Sequence, residues 1–356
     1  MRHVVISAPG RIDVLPAPPP LPGPGDLLLA PLAIGLCRTD AELADCSHIY
    51  LRDGRASLPM TPGHEWVARV VAVGEEARGF APGDRVVGEC SIGCGHCLRC
   101  DAGDYHQCDA RAETGIMKQE GALAGLVRFP ATSAYKVPGE IADDDAVFAE
   151  PAAVALRAVL RAGWNKGDRV LVVGAGTIGW LAAAIAMDLY ACEVAVMEPD
   201  EARMARAAGI GARPAELAEQ FDVVIEASGN ANGLRAALGR LASNGRLVAV
   251  SLTGCSSHPV DVDRMVVSDQ SLTGSLGSPG VWSQMLQLLG RGRVRPAALI
   301  TGRYPLAGAR EAYAALLANA PGTGKLVIVP GDEDRNEDRG ETATHADAAM
   351  EEEGVR

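Results

Sequence analysis

The chain of 356 residues contains no uninterrupted apolar run near the ~18 residues that a membrane span requires. Its opening, Met1-Arg2-His3-Val4-Val5-Ile6-Ser7-Ala8-Pro9, has too short an apolar core for a secretory signal and reads as a first β-strand. No repeat of fixed period runs along it. Positive charge is scarce: 33 Lys and Arg face 45 Asp and Glu, for a net charge of −12. Phosphate binding needs clustered Lys and Arg, so nucleic acid is not an expected partner. These absences point to the cytoplasm and away from the membrane. There, nine cysteines are expected as metal ligands or reduced core residues.

Hydrophobic residues make up 48% of the chain and 41 glycines punctuate it, which fits a folded α/β protein. The length suggests two domains. The acidity is uneven, because residues 331–356 hold ten acids against three arginines, a net −7. That segment has almost no bulky apolar side chains to offset its ordering entropy, so a disordered acidic tail is expected from 331 onward.

Cys94, Cys97, Cys100 and Cys108 are spaced C-x2-C-x2-C-x7-C. Four thiolates at this spacing can close a tetrahedral cage around one Zn2+ with bonds of roughly 2.3 Å. Free thiols so crowded would oxidise or cross-link, and a disulfide pair suits a secreted chain better than this one. A structural zinc lobe over 90–108 is therefore expected. His96 and His106 lie inside it as spectators, since four thiolates saturate the metal. Cys90, Cys192 and Cys255 carry no expected chemical role.

Residues 1–90 read as β-rich, with strands at 27–34 and 66–73 broken by Pro and Gly. A helix over 152–162 then leads to a strand at 169–173. Strands at 194–197, 223–227 and 247–251 alternate with helices, the signature of a parallel sheet built from βαβ units. A helix over 281–289 and a strand over 325–329 follow.

Gly174-Ala-Gly176-Thr177-Ile178-Gly179 joins the strand ending at Val173 to an Ala-rich helix. G-x-G-x-x-G alone is a weak signal, but between a strand and a helix it predicts a dinucleotide site. The helix N-terminus offers free N–H groups and a positive dipole end to phosphates. Glu198 ends the next strand, where an acid can accept both adenosine ribose hydroxyls and repel a 2′-phosphate. This favours NAD over NADP. Arg203 argues the other way by position, although it reads better as a surface helix residue. Ser228, just beyond the strand at 223–227, joins the expected cofactor-binding positions.

A second ligand set is dispersed: Cys37-Arg38-Thr39-Asp40, Gly63-His64-Glu65, and Glu150-Pro151 at the domain boundary. Cys, His and Glu from separate segments suit a catalytic Zn2+ with an open position. Taken singly, Cys37 reads equally as core, His64 as a hydrogen-bonded strand start, and Glu150 as an acid at a helix N-terminus.

In order, G-x-C-R-T-D, G-H-E, the cysteine lobe, E-P and G-x-G-x-x-G resemble the zinc-containing medium-chain dehydrogenase/reductase family. The likeness covers about residues 1–330 and is nearest the polyol, glucose and threonine dehydrogenase branches. It implies a GroES-like β-rich catalytic domain (1–152, with its return segment 278–330) and a doubly wound Rossmann domain (153–277). Cys37 and His64 match fixed ligands of the catalytic zinc, and Glu65 and Glu150 match carboxylates that bind it or exchange with water. Thr39 matches a hydroxyl that hydrogen-bonds the reacting oxygen and begins proton relay. Homodimers or homotetramers are common in the family.

The expected activity is a zinc-dependent oxidoreductase, with two Zn2+ per chain, moving hydride between a secondary alcohol (polyol, sugar or cyclitol-like) and NAD(P). Zinc-free quinone or enoyl reduction on the same fold and a non-catalytic zinc protein are the competing readings. Three departures bear on the substrate. Arg157 stands where relatives often have His, and Gly125 where an aromatic is usual, which would enlarge a pocket. Asp45, Cys46, His48, Tyr50 and Arg52 form a polar set suited to a hydroxylated substrate.

Overall fold

The computed structural model describes residues 1–254 and 257–335. Two sheets dominate it. The first has seven strands, running Ala134–Lys136, Arg85–Gly88, Glu65–Val73, Asp26–Leu36, Lys325–Val329 and Ile300–Pro305, with Val127–Pro130 also paired to Asp26–Leu36. Its pairings are antiparallel except the last, where Ile300–Pro305 runs parallel to Lys325–Val329. Strand Lys325–Val329 reaches this sheet from the far end of the chain, placing Leu326 opposite Leu36 and Ile328 opposite Ile34. Trp66 packs edge-on to Phe129 in its core, with ring centroids 4.9 Å apart.

The second sheet has six parallel strands in the spatial order 3-2-1-4-5-6: Arg213–Pro214, Val194–Met197, Val170–Val173, Phe221–Glu226, Leu241–Ala249 and Ser271–Gly274. This is the doubly wound dinucleotide-binding order. Strands Val194–Met197 and Val170–Val173 are continuously apolar because helices cover both faces. The helix Thr177–Tyr190 is apolar nearly all round for the same reason, and is buried from Gly179 to Ala186. One apolar cluster runs through both units, from Ala33 and Val67 through Phe148 and Leu156 to Val172 and Ile225. Among the described residues, no helix is long and apolar enough to cross a membrane.

Two element starts differ from the sequence expectation by three residues or more. The helix expected from 152 starts at Ala149, so Glu150 and Pro151 lie in its first turn, where proline has no helical hydrogen bond to lose. The strand expected from 247 starts at Leu241, because polar Ser243, Asn244 and Arg246 hide its period.

The disorder expected from 331 does not hold for the first five residues. Gly331–Arg335 form a docked turn in which Asp334 is 1% exposed. The carboxylate of Asp334 pairs with Arg2 at 2.6 Å and accepts the Gly331 N–H at 2.7 Å, while Arg335 donates to the Pro31 carbonyl at 3.3 Å. Residues 336–356, and Cys255 with Ser256, lie outside the described residues.

Candidate active site

Cys37 ends the strand Asp26–Leu36 and forms the N-cap of the helix Arg38–Ala44. Asp40, three residues on, reaches back to accept the Cys37 N–H at 2.8 Å. That bond fixes the turn presenting the thiol and places Thr39, half-buried, beside it. His64 and Glu65 arrive at the start of the neighbouring strand, Glu65 lying opposite Gly35. Cys37, His64 and Glu65 each bring a ligand atom within 4.8 Å of the others. His64 Nδ1 is buried without a hydrogen-bond partner and lies 3.8 Å from Asp40 Oδ1, which is also unpartnered. A thiolate, an imidazole and a carboxylate with orphaned polar atoms suit Zn2+, and a carboxylate behind the histidine orients such a ligand.

Electrostatics tightens the cluster. Burial opposes the charged form of His64, yet Asp40, Cys37 and Glu150 outweigh it and hold the imidazole well above its ordinary range. Burial raises Asp40 above the usual carboxylate range, with His64 pulling the other way. Burial likewise lifts Glu150 to about 7 against the pull of His64. Glu150 is thus coupled to the site but stands outside the tight three-residue group. Lys325, which sequence reading treats only as a strand start, ion-pairs with Glu65 inside the protein. The only signal for it was a charged residue opening an otherwise apolar strand, Lys325-Leu-Val-Ile-Val329.

In the lobe, Cys94, Cys97, Cys100 and Cys108 also form a single ligand group. Their sulfurs stand 3.9 Å apart for Cys94–Cys100 and 3.7 Å for Cys97–Cys108. A tetrahedron of Zn–S bonds near 2.3 Å has edges of about 3.8 Å, which these two edges match. His96 bonds the Cys94 carbonyl at 2.8 Å and stays out of the cage. His106 Nε2 meets Arg157 at 3.3 Å, and Arg157 also donates to the Leu276 carbonyl at 3.0 Å. Arg157 therefore ties the lobe to the end of the second unit. Burial, with acids nearby, holds the Cys90 thiol well above its ordinary range, as suits an inert cysteine.

At the nucleotide turn, a side chain on Gly174 would fall 2.7 Å from Ser228 Cα, and one on Gly179 would fall 1.8 Å from the Gly174 carbonyl. Around Gly176 the space is open, and no side chain caps the helix it begins. Free N–H groups beside an open backbone fit a pyrophosphate. Thr177 and Ile178 form the first turn of that helix. Glu198 accepts the Ala175 N–H at 2.7 Å and the Asp200 N–H at 2.9 Å, which holds its carboxylate over the turn. Ser228 bonds Glu226 across from Gly174. Arg203 instead faces Asn319, at 2.9 Å.

The pocket expected at Gly125 is absent. A Cβ there would come 2.0 Å from the Asp334 carbonyl, so the glycine makes room for the docked turn. Of the polar set, His48 accepts the Tyr50 N–H at 3.3 Å. Arg111 donates to the Tyr50 hydroxyl at 3.0 Å and pairs with Glu113 at 2.8 Å. Asp45 serves locally, accepting the Ser47 N–H at 2.9 Å.

Fold and site together define a zinc- and dinucleotide-dependent dehydrogenase, and comparison with known proteins agrees. Residues 23–139 match the alcohol dehydrogenase GroES-like domain, and residues 200–328 match the zinc-binding dehydrogenase domain. An L-threonine 3-dehydrogenase of Coxiella burnetii is 32% identical over 335 residues, spanning 88% of this chain and 94% of that protein. The Shewanella oneidensis L-threonine 3-dehydrogenase is 30% identical over 344 residues, spanning 91% of this chain and 97% of its own length. Among solved structures, an alcohol dehydrogenase from Thermus sp. ATN1 superposes with a TM-score of 0.84 at 29% identity, covering 93% of this chain and 100% of its own. A zinc-binding dehydrogenase from Sinorhizobium meliloti 1021 bound to NADP gives 0.85 at 26% identity, covering 92% and 99%. The chain belongs to the zinc-containing medium-chain dehydrogenase/reductase family. It is an oxidoreductase of the alcohol and polyol dehydrogenase kind, using zinc and NAD(P).

Proposed function

We propose that this chain oxidises a secondary hydroxyl of a small polyol or amino-alcohol, or reduces the matching ketone, with NAD as the preferred cofactor. The observation that carries the reading is the convergence of half-buried Cys37 with buried His64 and Glu65 in one group, separate from the four-cysteine cage. Zinc held there supplies Lewis acidity to the substrate oxygen, and the nicotinamide supplies the hydride acceptor. The chain's own residues do the rest. Asp40 orients His64 from behind, and Lys325 neutralises Glu65, so the first unit presents a fixed ligand set. Thr39, in the first turn after Cys37, takes the hydroxyl proton and passes it outward in this reading. Glu150 adds a titratable carboxyl near neutrality beside them.

Tyr50, Arg111 and Glu113 support a hydroxylated substrate, because a joined set of donors and acceptors suits several hydroxyl groups. The L-threonine 3-dehydrogenases among the relatives favour an amino-alcohol within that class. Glu198 supports NAD, since its carboxylate repels a 2′-phosphate. A homo-oligomer is supported by the helix Val262–Val267, which buries none of its residues and leaves Val262, Val266 and Val267 exposed beside the edge strand Ser271–Gly274. The test is a panel of polyols, amino-alcohols and ketones, followed by NAD(P)H absorbance with parent and Cys37→Ser proteins. Turnover of none of them, at two zinc ions per chain, would defeat the substrate class.

A further inference from the structure

The turn that precedes the last strand of the first sheet crosses to the second unit and seizes its cofactor-side helix. Asn319 closes the helix Ala309–Ala318 in the left-handed conformation, with φ of 41°. Its side-chain oxygen accepts from Arg203 Nη2 at 2.9 Å. Asp200, the N-cap of the helix Glu201–Ala208, accepts the Gly322 N–H at 2.7 Å. Arg206 donates to the Gly322 carbonyl at 3.1 Å. Three bonds thus join residues 200–206 to residues 319–322. Beside them opens a groove of about 830 Å3, lined by Pro199, Asp200, Glu201, Ala202, Pro321 and Gly322. It begins one residue after Glu198.

We propose that Asn319 is a specificity-determining residue, acting by holding the Arg203 guanidinium away from the adenosine ribose. The inference rests on the reading that Glu198 receives that ribose. Arg203 is the charged donor in this helix nearest in sequence to Glu198, and a fork of N–H groups is the ordinary partner of a 2′-phosphate. Here one arm of the fork is already engaged. Nη2 is spent on Asn319, and Nε is buried 4.0 Å from Asp200 with no hydrogen bond. A 2′-phosphate arriving at the groove would meet Asp200 and Glu201, with no cation among the groove's lining residues to offset them. Selection for the unphosphorylated ribose then has two parts, the charge of Glu198 and the capture of Arg203. The second is set from the far end of the chain.

The test uses the cofactor fragments ADP-ribose and 2′-phospho-ADP-ribose, with binding measured by calorimetry on the full chain. Asn319→Gly keeps the left-handed cap while removing the captor. It should tighten 2′-phospho-ADP-ribose about fivefold, the size of one exposed charge pair, and leave ADP-ribose within about twofold. The gain should shrink at salt well above ~0.15 M, and vanish when Arg203→Ala is added. Arg203→Ala alone should leave ADP-ribose affinity unchanged. An unaltered affinity for 2′-phospho-ADP-ribose in Asn319→Gly, with ADP-ribose still binding, would overturn the proposal. Failure of the parent protein to bind ADP-ribose, or indifference of that binding to Glu198→Ala, would instead overturn the reading on which it rests.

Discussion

Glu65 and Lys325, 260 residues apart in sequence, form an ion pair with side chains only 2% and 3% exposed. Gly35 makes the space for it: a Cβ there would fall 2.6 Å from the Glu65 carboxylate and 3.2 Å from Lys325 Cδ. The pair joins the strand Glu65–Val73 to the strand Lys325–Val329 and sets a cation against one candidate zinc ligand. Removing one partner of a buried pair strands the other. Lys325→Met should therefore destabilise the protein by about 3–5 kcal/mol in urea denaturation. Adding Glu65→Gln should return a good part of that loss. If the single and double variants unfold alike, the pair is not coupled as described.

Cys37→Ser should remove one of two zinc ions and lower turnover at least ~100-fold, because a hydroxyl is a far poorer ligand than a thiolate. Far-ultraviolet circular dichroism should be unchanged, since Cys37 is only half-buried and its cap bond runs through its backbone N–H. Metal analysis giving two ions with activity intact would refute the assignment.

Cys100→Ser should act differently. With sulfurs already at zinc-cage spacing, binding energy in the lobe is folding energy, and losing a ligand should lower the melting temperature or the yield of assembled protein. Chelation of the wild-type protein should have the same effect. A variant with normal melting and full zinc content would contradict a structural role.

How much of this could be read beforehand follows from how local each signal is. The cysteine cage and the glycine turn were legible because their residues lie within a short stretch whose spacing is itself the geometry. Cys37, His64 and Glu65 needed the family order, since strand pairing and not sequence distance brings them together. The partner of Lys325 was not legible because it is set by the register of a strand that returns from the far end of the chain. Gly125 misled for a related reason. An absent side chain reads as space, whereas the Asp334 backbone fills it.

Glu89 should give the stability a pH dependence. It lies 4% exposed after the strand Arg85–Gly88, and Tyr135 donates to it at 2.7 Å. Burial lifts its carboxyl to about 7, with the hydroxyls of Tyr105 and Tyr135 pulling it back down. Because the folded value exceeds the unfolded one, its contribution is fully present below ~4.5 and is lost as pH rises through ~7. A tenfold difference in proton affinity between folded and unfolded chains corresponds to about 1.4 kcal/mol, so a loss on the order of 3 kcal/mol is expected. Glu89→Gln should flatten that slope between about pH 5 and 7.5 in denaturant titrations. An unchanged slope would mean that another group sets it.

The docked turn Gly331–Arg335 should contribute to stability, and two truncations should show it. Cutting after Pro330 removes Asp334, which is buried against Arg2 and caps its own turn, and removes the Arg335 bond to the Pro31 carbonyl. It also uncovers Gly125, against which the Asp334 backbone packs. Losing one side of such a pair leaves Arg2 without its partner, although Arg2 is 36% exposed and water will screen it. The loss should therefore come mainly from uncovered surface, at about 1–3 kcal/mol, read as a lower urea midpoint. Cutting after Arg335 keeps every one of these contacts and should leave the midpoint, zinc content and turnover at the full-length values. Gly125→Ala offers an independent probe, because its methyl group would collide with the Asp334 carbonyl and should reproduce the shorter truncation in the intact chain. Equal midpoints for both truncations would show that the docked turn contributes nothing to stability.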